Sequence, residues 1–181
     1  MNNKNLFMKL DDKYIKELII LKLKRYYEFV KGEEYKNSFI NLTITYGYSD
    51  FIEMLSRIAL EKVVERISEI SEQGKVRILF NEEIKINNKK GDLLKTCDVI
   101  LFTNETVEVI RIVPMELDII NVNNDDESMI LGIGVIDKFA TQMDCKYINL
   151  TVIQPNLITT SIYETSINKF LHEYDFSLIW S

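Results

Sequence analysis

Cysteine, proline and histidine are scarce in this chain: its 181 residues hold two cysteines, two prolines and a single histidine. Two thiols, Cys97 and Cys145, are too few to staple a fold with disulfides, and they fit a reducing compartment. With His172 as the only imidazole, a zinc site would have to recruit carboxylates or a second subunit, so zinc is not expected. Cys97, Asp98, Cys145 and His172 are the residues that could serve a metal. The plainer reading makes the cysteines small buried residues and the histidine a surface one. Pro114 and Pro155 stand where strands should stop. No Pro-, Gly- or Ser-rich linker, internal repeat or long charge block divides the chain. No apolar run is long enough to span a bilayer. Residues 1–10 have neither the apolar stretch nor the cleavage site of a signal peptide. A cytoplasmic location follows as the expectation.

Positive charge is short as well. Lys and Arg number 22 against 28 Asp and Glu, a net charge of −6. Phosphate binding needs a positive surface, so direct nucleic-acid binding is not expected. An acidic surface suits a protein partner, in particular a basic one, with a homodimer the other assembly open to the chain. Hydrophobic residues at 46% and charged residues at 28% describe an ordinary globular protein. At this length one domain can bury a sizeable core.

Apolar spacing predicts a helix over residues 12–31. Ile15, Leu18, Ile19, Leu23 and Tyr26 recur at helical intervals, Asp11 or Asp12 can cap it, and Gly32 can end it. Residues 38–46 alternate apolar and polar with β-branched side chains and read as a strand or an extended arm. A long helix is expected over 50–73, capped by Asp50 or Ser49, with Phe51, Met54, Leu55, Ile58, Val63, Ile67 and Ile70 in one stripe and Gly74 beyond it. A strand over 76–86, a turn at 87–92 and two hairpin strands near 96–102 and 106–113 follow. A helix near 126–142 comes next, with Asp125 or Asp126 as its cap. A strand over 147–154 and a last helix over 165–174 complete the order, and Phe176, Ile179 and Trp180 of the tail should pack back. The division expected is an N-terminal helix and arm over 1–49, packed on an α/β core over 50–181 with its C-terminal helix and tail, all in one compact domain.

The hairpin raises the chemical question. Its first strand, Cys97-Asp98-Val-Ile-Leu-Phe102, and its second, Val107-Glu-Val-Ile-Arg111-Ile-Val113, flank Asn104 and Glu105. A two-residue turn there pairs Thr103 with Thr106 and Phe102 with Val107, which sets Asp98 across from Arg111. These residues, with the order helix, three strands, helix, strand from residue 50 onward, resemble the core of the PD-(D/E)XK nucleases. The nearer resemblance is to their phage-encoded RecB-like branch, related to the Cas4 and lambda-exonuclease types. It covers roughly residues 50–175 and needs no gap from Asp98 to Phe139. In that branch an Asp on the first strand follows a Gly-Thr or similar pair; Asp98 follows Thr96-Cys97. The turn there is usually Asp-Gly; here it is Asn104-Glu105. The second strand ends Asp-x-Lys-Tyr-Gly; here it reads Arg111-Ile112-Val113-Pro114-Met115. The branch's Asn-Pro-Gln and Leu-Tyr-x-Leu-Gly patterns fall on Asp125-Asp126-Glu127 and Ile130-Leu131-Gly132-Ile133-Gly134. Its strand-ending Gln-Pro-Arg falls on Gln154-Pro155-Asn156 and matches at the first two residues.

The resemblance implies a nuclease-like α/β fold and, in active members, phosphodiester hydrolysis with one or two Mg or Mn ions. Two carboxylates must converge on such a metal, which prefers hard oxygen ligands. The lysine positions water and offsets developing negative charge. Here Arg111 puts a fixed cation where the second acid belongs, and Val113 brings neither charge nor donor. Asp98, Arg111 and Val113 thus read as a degenerate site, with no catalytic residue and no cofactor expected and an ion pair between Arg111 and Asp98 in the metal's place. Mg or Mn would return only with a displaced motif. Glu61 and Glu65 are candidates for the helix glutamate that some members add, against the plainer reading of a solvated face. Asp118, Asp125, Asp126 and Glu127 are the acidic candidates for partner binding, or simply a solvated loop and a helix N-terminus. The expectation is a non-catalytic binding or inhibitory module. In a phage or mobile element its concrete form is an anti-CRISPR protein that blocks a Cas effector nuclease in the bacterial cytoplasm. The alternatives are a metal-dependent DNA exonuclease and a non-catalytic subunit of a phage recombination complex.

Overall fold

Helical spacing of apolar residues governs the first part of the chain. In the computed structural model, which describes residues 12–32, 37–72, 74–87, 91–114, 119–157 and 160–173, helix α1 spans Asp12–Val30 and buries Ile15, Ile19, Leu23 and Val30. Helix α2 spans Ser38–Tyr46, and α3 spans Tyr48–Ser71. Only Gly47 separates α2 from α3, at φ 87°, a left-handed conformation that glycine adopts without a Cβ penalty. Phe39 of α2 meets Tyr26 of α1 at 5.0 Å and Phe51 of α3 at 5.4 Å between ring centroids, both edge-on.

Helix α2 corrects the expectation of a strand or an arm over 38–46. Its alternating sequence carries a helix start that outweighs β propensity: the Asn37 side chain accepts hydrogen bonds from the N–H groups of Phe39 and Ile40, at 2.9 and 3.3 Å. The threonines that suggested a strand bond back into the helix, Thr43 to the Ile40 carbonyl and Thr45 to the Asn41 carbonyl. Phe39, Ile40 and Thr43 are the buried residues, at helical spacing.

The sheet contains β1 (Arg77–Ile86), β2 (Leu93–Phe102), β3 (Thr106–Ile112), β4 (Tyr147–Ile153) and β5 (Ser161–Ser166), in that spatial order. It is open, with β1 and β5 at its edges. β1, β2 and β3 form an antiparallel meander, and β4 and β5 an antiparallel hairpin. Tyr147 donates to the Glu105 carbonyl at one end of β4 and Val113 donates to the Ile153 carbonyl at the other, so β3 and β4 run in the same direction. Their connection holds a single 3-10 turn (Val122–Asn124) and helix α4 (Asp126–Phe139). Helix α5 (Ile167–Glu173) follows β5. β3, β4 and the second half of β2 are mostly buried, and the first half of β2 is partly exposed. The strand β5 was not anticipated, and it takes the start of the helix expected over 165–174. Pro114 and Pro155 do follow the ends of β3 and β4.

The chain forms two compact units interleaved in sequence. One comprises residues 1–66, 112–119 and 153–159; the other comprises 67–111, 120–152 and 160–181. Phe176, Ile179 and Trp180 lie outside the described residues, as does Asp11. Among the described residues no helix is long and apolar enough to cross a membrane.

Candidate functional site

The hairpin turn fixes everything downstream of it. Thr103 donates its N–H to the Thr106 carbonyl at 2.8 Å, and its hydroxyl accepts from the N–H groups of Thr106 and Glu105, at 2.9 and 3.3 Å. The turn is therefore tight, and Phe102 pairs with Val107, Leu101 with Glu108, Ile100 with Val109 and Val99 with Ile110. This is the register expected from the two-residue turn. Continued one step, it sets Asp98 opposite Arg111.

Side-chain alternation then sorts the two faces. Phe102 packs edge-on against Phe139 of α4 at 5.1 Å, and Arg111 reaches Asp125 at the other end of that helix. Ile100 of β2 shares that side with Val109 and Val107 of β3. Ile148 and Leu150 of β4 join them, since a Cβ on Gly132 of α4 would meet both side chains.

Arg111 is the centre of a small polar cluster. Its guanidinium makes an ion pair with Asp125, and its Nε–H donates to the Ser128 hydroxyl at 3.3 Å. Ser128 in turn donates its hydroxyl and its backbone N–H to the same Asp125 carboxylate, the latter at 3.1 Å. Asp125 is thus both the N-cap of α4 and the counter-ion of Arg111. Both side chains are only 16% exposed. The salt bridge at Arg111 goes to Asp125, where the register alone pointed to Asp98. Opposition in a ladder fixes Cα positions, whereas the long arginine stem lets the guanidinium choose the carboxylate that the helix cap has already turned inward. Asp98 is half-buried and has an interaction of its own.

This donor set does not suit a divalent cation. The Arg111 guanidinium already holds the carboxylate at the start of the helix, Asp125. Among the described residues no three His, Cys, Asp or Glu side chains converge. The residues considered for a metal are dispersed over the fold. Cys97 is buried within β2, Cys145 sits beyond α4 with its thiol 3.7 Å from the Thr103 carbonyl, and His172 is exposed on α5. Burial, with some help from Asp144, pushes the Cys145 thiol above its ordinary pKa. Val113 is buried and carries only a backbone bond, to Ile153.

Of the acidic candidates, Asp126 and Glu127 are exposed on the first turn of α4, and Glu127 pairs with Lys95. Asp118 lies outside the described residues. Glu61 and Glu65 are exposed on α3. Beside them Lys62 donates to the carbonyls of Gln154, at 2.8 Å, and Leu157; burial lowers its pKa, and Glu65 opposes the shift.

Glu108 is the polar residue that sequence reading passed over. It is fully buried on β3, on the face opposite Arg111, where the Thr151 hydroxyl donates to it at 2.8 Å and the Asn149 amide at 3.4 Å. A glutamate between two valines in an apolar strand was the available signal.

Comparison with known proteins adds a family. A solved structure titled "Crystal structure of SSO0001" is similar over 84% of this chain and 65% of that one, at 17% identity and a TM-score of 0.34. The chain thus corresponds to about two thirds of that protein's length. No curated protein matches. Residues 13–176 match the family described as "Protein of unknown function (DUF2800)", and the chain belongs to that family.

Proposed function

We propose that this protein is a non-catalytic, protein-binding module built on a PD-(D/E)XK-like nuclease scaffold. The observation that carries the reading is the Arg111–Asp125 ion pair. It stands where a metal-dependent nuclease of this plan would gather carboxylates, and it replaces an ion with an internal counter-charge. The order of helix, antiparallel meander, helix and parallel strand agrees with the same scaffold.

Binding to a protein follows from charge. A net charge of −6 disfavours nucleic acid and favours a basic partner. Asp126 and Glu127, exposed at the start of α4, are the carboxylates placed to take part, Glu127 by giving up its surface pair with Lys95, because Asp125 is committed to Arg111. The specific form we propose is inhibition of a nuclease, with a Cas effector as the partner of an anti-CRISPR protein. An acidic surface of this kind can occupy a basic nucleic-acid channel.

The test is a cleavage assay with candidate Cas effectors, together with the purified chain alone on single- and double-stranded DNA with Mg²⁺ or Mn²⁺. The expected result is no cleavage by the chain, and loss of effector cleavage at stoichiometric ratios. Asp126→Lys combined with Glu127→Lys should slow association and weaken its salt dependence. Cleavage by the chain itself, lost in Asp98→Ala, would establish the exonuclease alternative instead. Absence of a complex with any effector would leave the scaffold as a subunit of a recombination assembly.

A further inference from the structure

The end of the sheet remote from Arg111 holds a cavity that the nuclease comparison does not touch. Helix α4 runs 14 residues from Asp126 to Phe139, so its two ends are roughly 20 Å apart. Where α4 ends and β2 turns into β3, a cavity of about 390 Å³ opens, within the usual range for small-molecule sites. Phe102 and Phe139, edge-on to each other at 5.1 Å, contribute its aromatic lining. Arg77, at the start of β1, lies over the Phe102 ring with its guanidinium carbon 5.7 Å from the centroid.

The contrast with Lys138 is informative. Lys138 also lies over a ring, Phe139 at 5.4 Å, but its ammonium is taken up by the Glu82 carboxylate at 2.6 Å and the Glu83 carbonyl at 2.7 Å. Among the described residues Arg77 has no carboxylate partner. Its planar fork is therefore held on an aromatic face at the cavity, with its donors left to solvent or to a ligand. The amide side chains of Asn104 and Gln142 add polar groups to the lining, and Asp144 adds one negative charge. That charge repels a dianion more than a monoanion.

We propose that this cavity binds a small aromatic monocarboxylate. The carboxylate forms a bidentate pair with Arg77, and the ring packs against Phe102 and Phe139. The Cys145 thiol on the same wall stays protonated at neutral pH, because burial raises its pKa, and so it adds no second charge against the ligand.

The experiment is titration of the full chain with 3-phenylpropionate, followed through backbone amide NMR signals. Saturable shifts at Asn104, Gln142 and Cys145 are expected. Arg77→Met, which keeps an unbranched stem on the Phe102 ring and removes the fork, should weaken binding by about tenfold or more. The uncharged 3-phenylpropanamide should fail to saturate, and so should inorganic phosphate, which lacks the ring. Absence of saturable shifts would overturn the proposal, as would binding that Arg77→Met leaves unchanged. Equal binding of the amide would remove the role of Arg77, and equal binding of phosphate would remove that of the rings. Because none of these readouts involves nuclease inhibition, this proposal and the preceding one fail separately.

Discussion

Arg111 shows how a single long side chain can tie a strand to the start of a helix. Its guanidinium joins the second strand of the hairpin to the cap of α4 through Asp125 and Ser128. Arg111→Met keeps the stem but leaves a largely buried carboxylate without its counter-ion. The expected loss is about 1–3 kcal/mol, below the figure for fully buried pairs because both groups keep some exposure to water. Urea unfolding measures it. Asp125→Ala should lose more, since the helix cap goes with the ion pair. Arg111→Lys should recover only part, because an ammonium lacks the planar fork that reaches Ser128 and Asp125 together.

The half-buried thiol at Cys145 makes a second prediction at this scale. Its folded pKa is raised above the unfolded value, first by burial and then by Asp144. The folded chain therefore holds the thiol proton to higher pH than the unfolded chain. The stability this contributes is complete below the unfolded pKa and is lost as pH rises through the folded one. Iodoacetamide should accordingly react slowly at pH 8, with the rate climbing only above the ordinary thiol range. Asp144→Asn should move that climb a little lower, and a midpoint at or below the ordinary thiol value in the unmodified chain would contradict the assignment. Cys97, fully buried, should stay unlabelled until the chain unfolds.

Among the elements, α4 approaches the sheet closely, and two glycines allow it. A Cβ on Gly134 would fall 2.4 Å from Ile84 Cγ2 and 3.0 Å from Ile86 Cγ1, atoms near the strand backbone that cannot swing away. A Cβ on Gly132 would meet Leu150 Cδ2 at 2.8 Å, the far end of a side chain with rotamers to spare. Alanine gains about 1 kcal/mol of helix propensity over glycine at either position. Overpacking costs about 1–3 kcal/mol where nothing yields. Gly134→Ala should therefore lower the thermal midpoint, and Gly132→Ala should change it less.

The hairpin register could be read from the sequence because it depends on local chemistry, a short turn between two apolar strands. The caps of α4 and the stops at Pro114 and Pro155 are local in the same sense. Helix α2 escaped because Phe39, Ile40, Leu42 and Ile44 and the threonines among them satisfy a strand pattern. The deciding signal was a single residue outside the pattern, Asn37. Asn37→Ala should cost about 1 kcal/mol, read as a loss of helical ellipticity beyond that of a control substitution at exposed Thr45. The Arg111–Asp125 pair and the burial of Glu108 escaped for another reason. Both depend on which element the crossover brings alongside β3, and no local pattern carries that information.

At the scale of the whole molecule, the path of the chain sets what can be removed. The unit that contains most of the helical N-terminal part also takes in residues 112–119 and 153–159, which begin at the last residues of β3 and β4. Its internal bonds include Val113 to Ile153 and Lys62 to the carbonyls of Gln154 and Leu157. A chain that begins at residue 67 keeps the whole sheet but deprives these two segments of their helical partners. The Gln154 and Leu157 carbonyls lose the ammonium that donates to them. Were the helices an accessory packed on an independent core, such a chain would melt in one cooperative step with native near-ultraviolet dichroism. The interleaving argues the reverse. The truncated chain should show no sharp thermal transition and should bind a hydrophobic dye, and adding residues 1–66 as a separate peptide should restore at least part of the transition. A cooperative melt of the truncated chain alone would mean that the segments after β3 and β4 belong to the sheet, and that the helical part is a detachable extension.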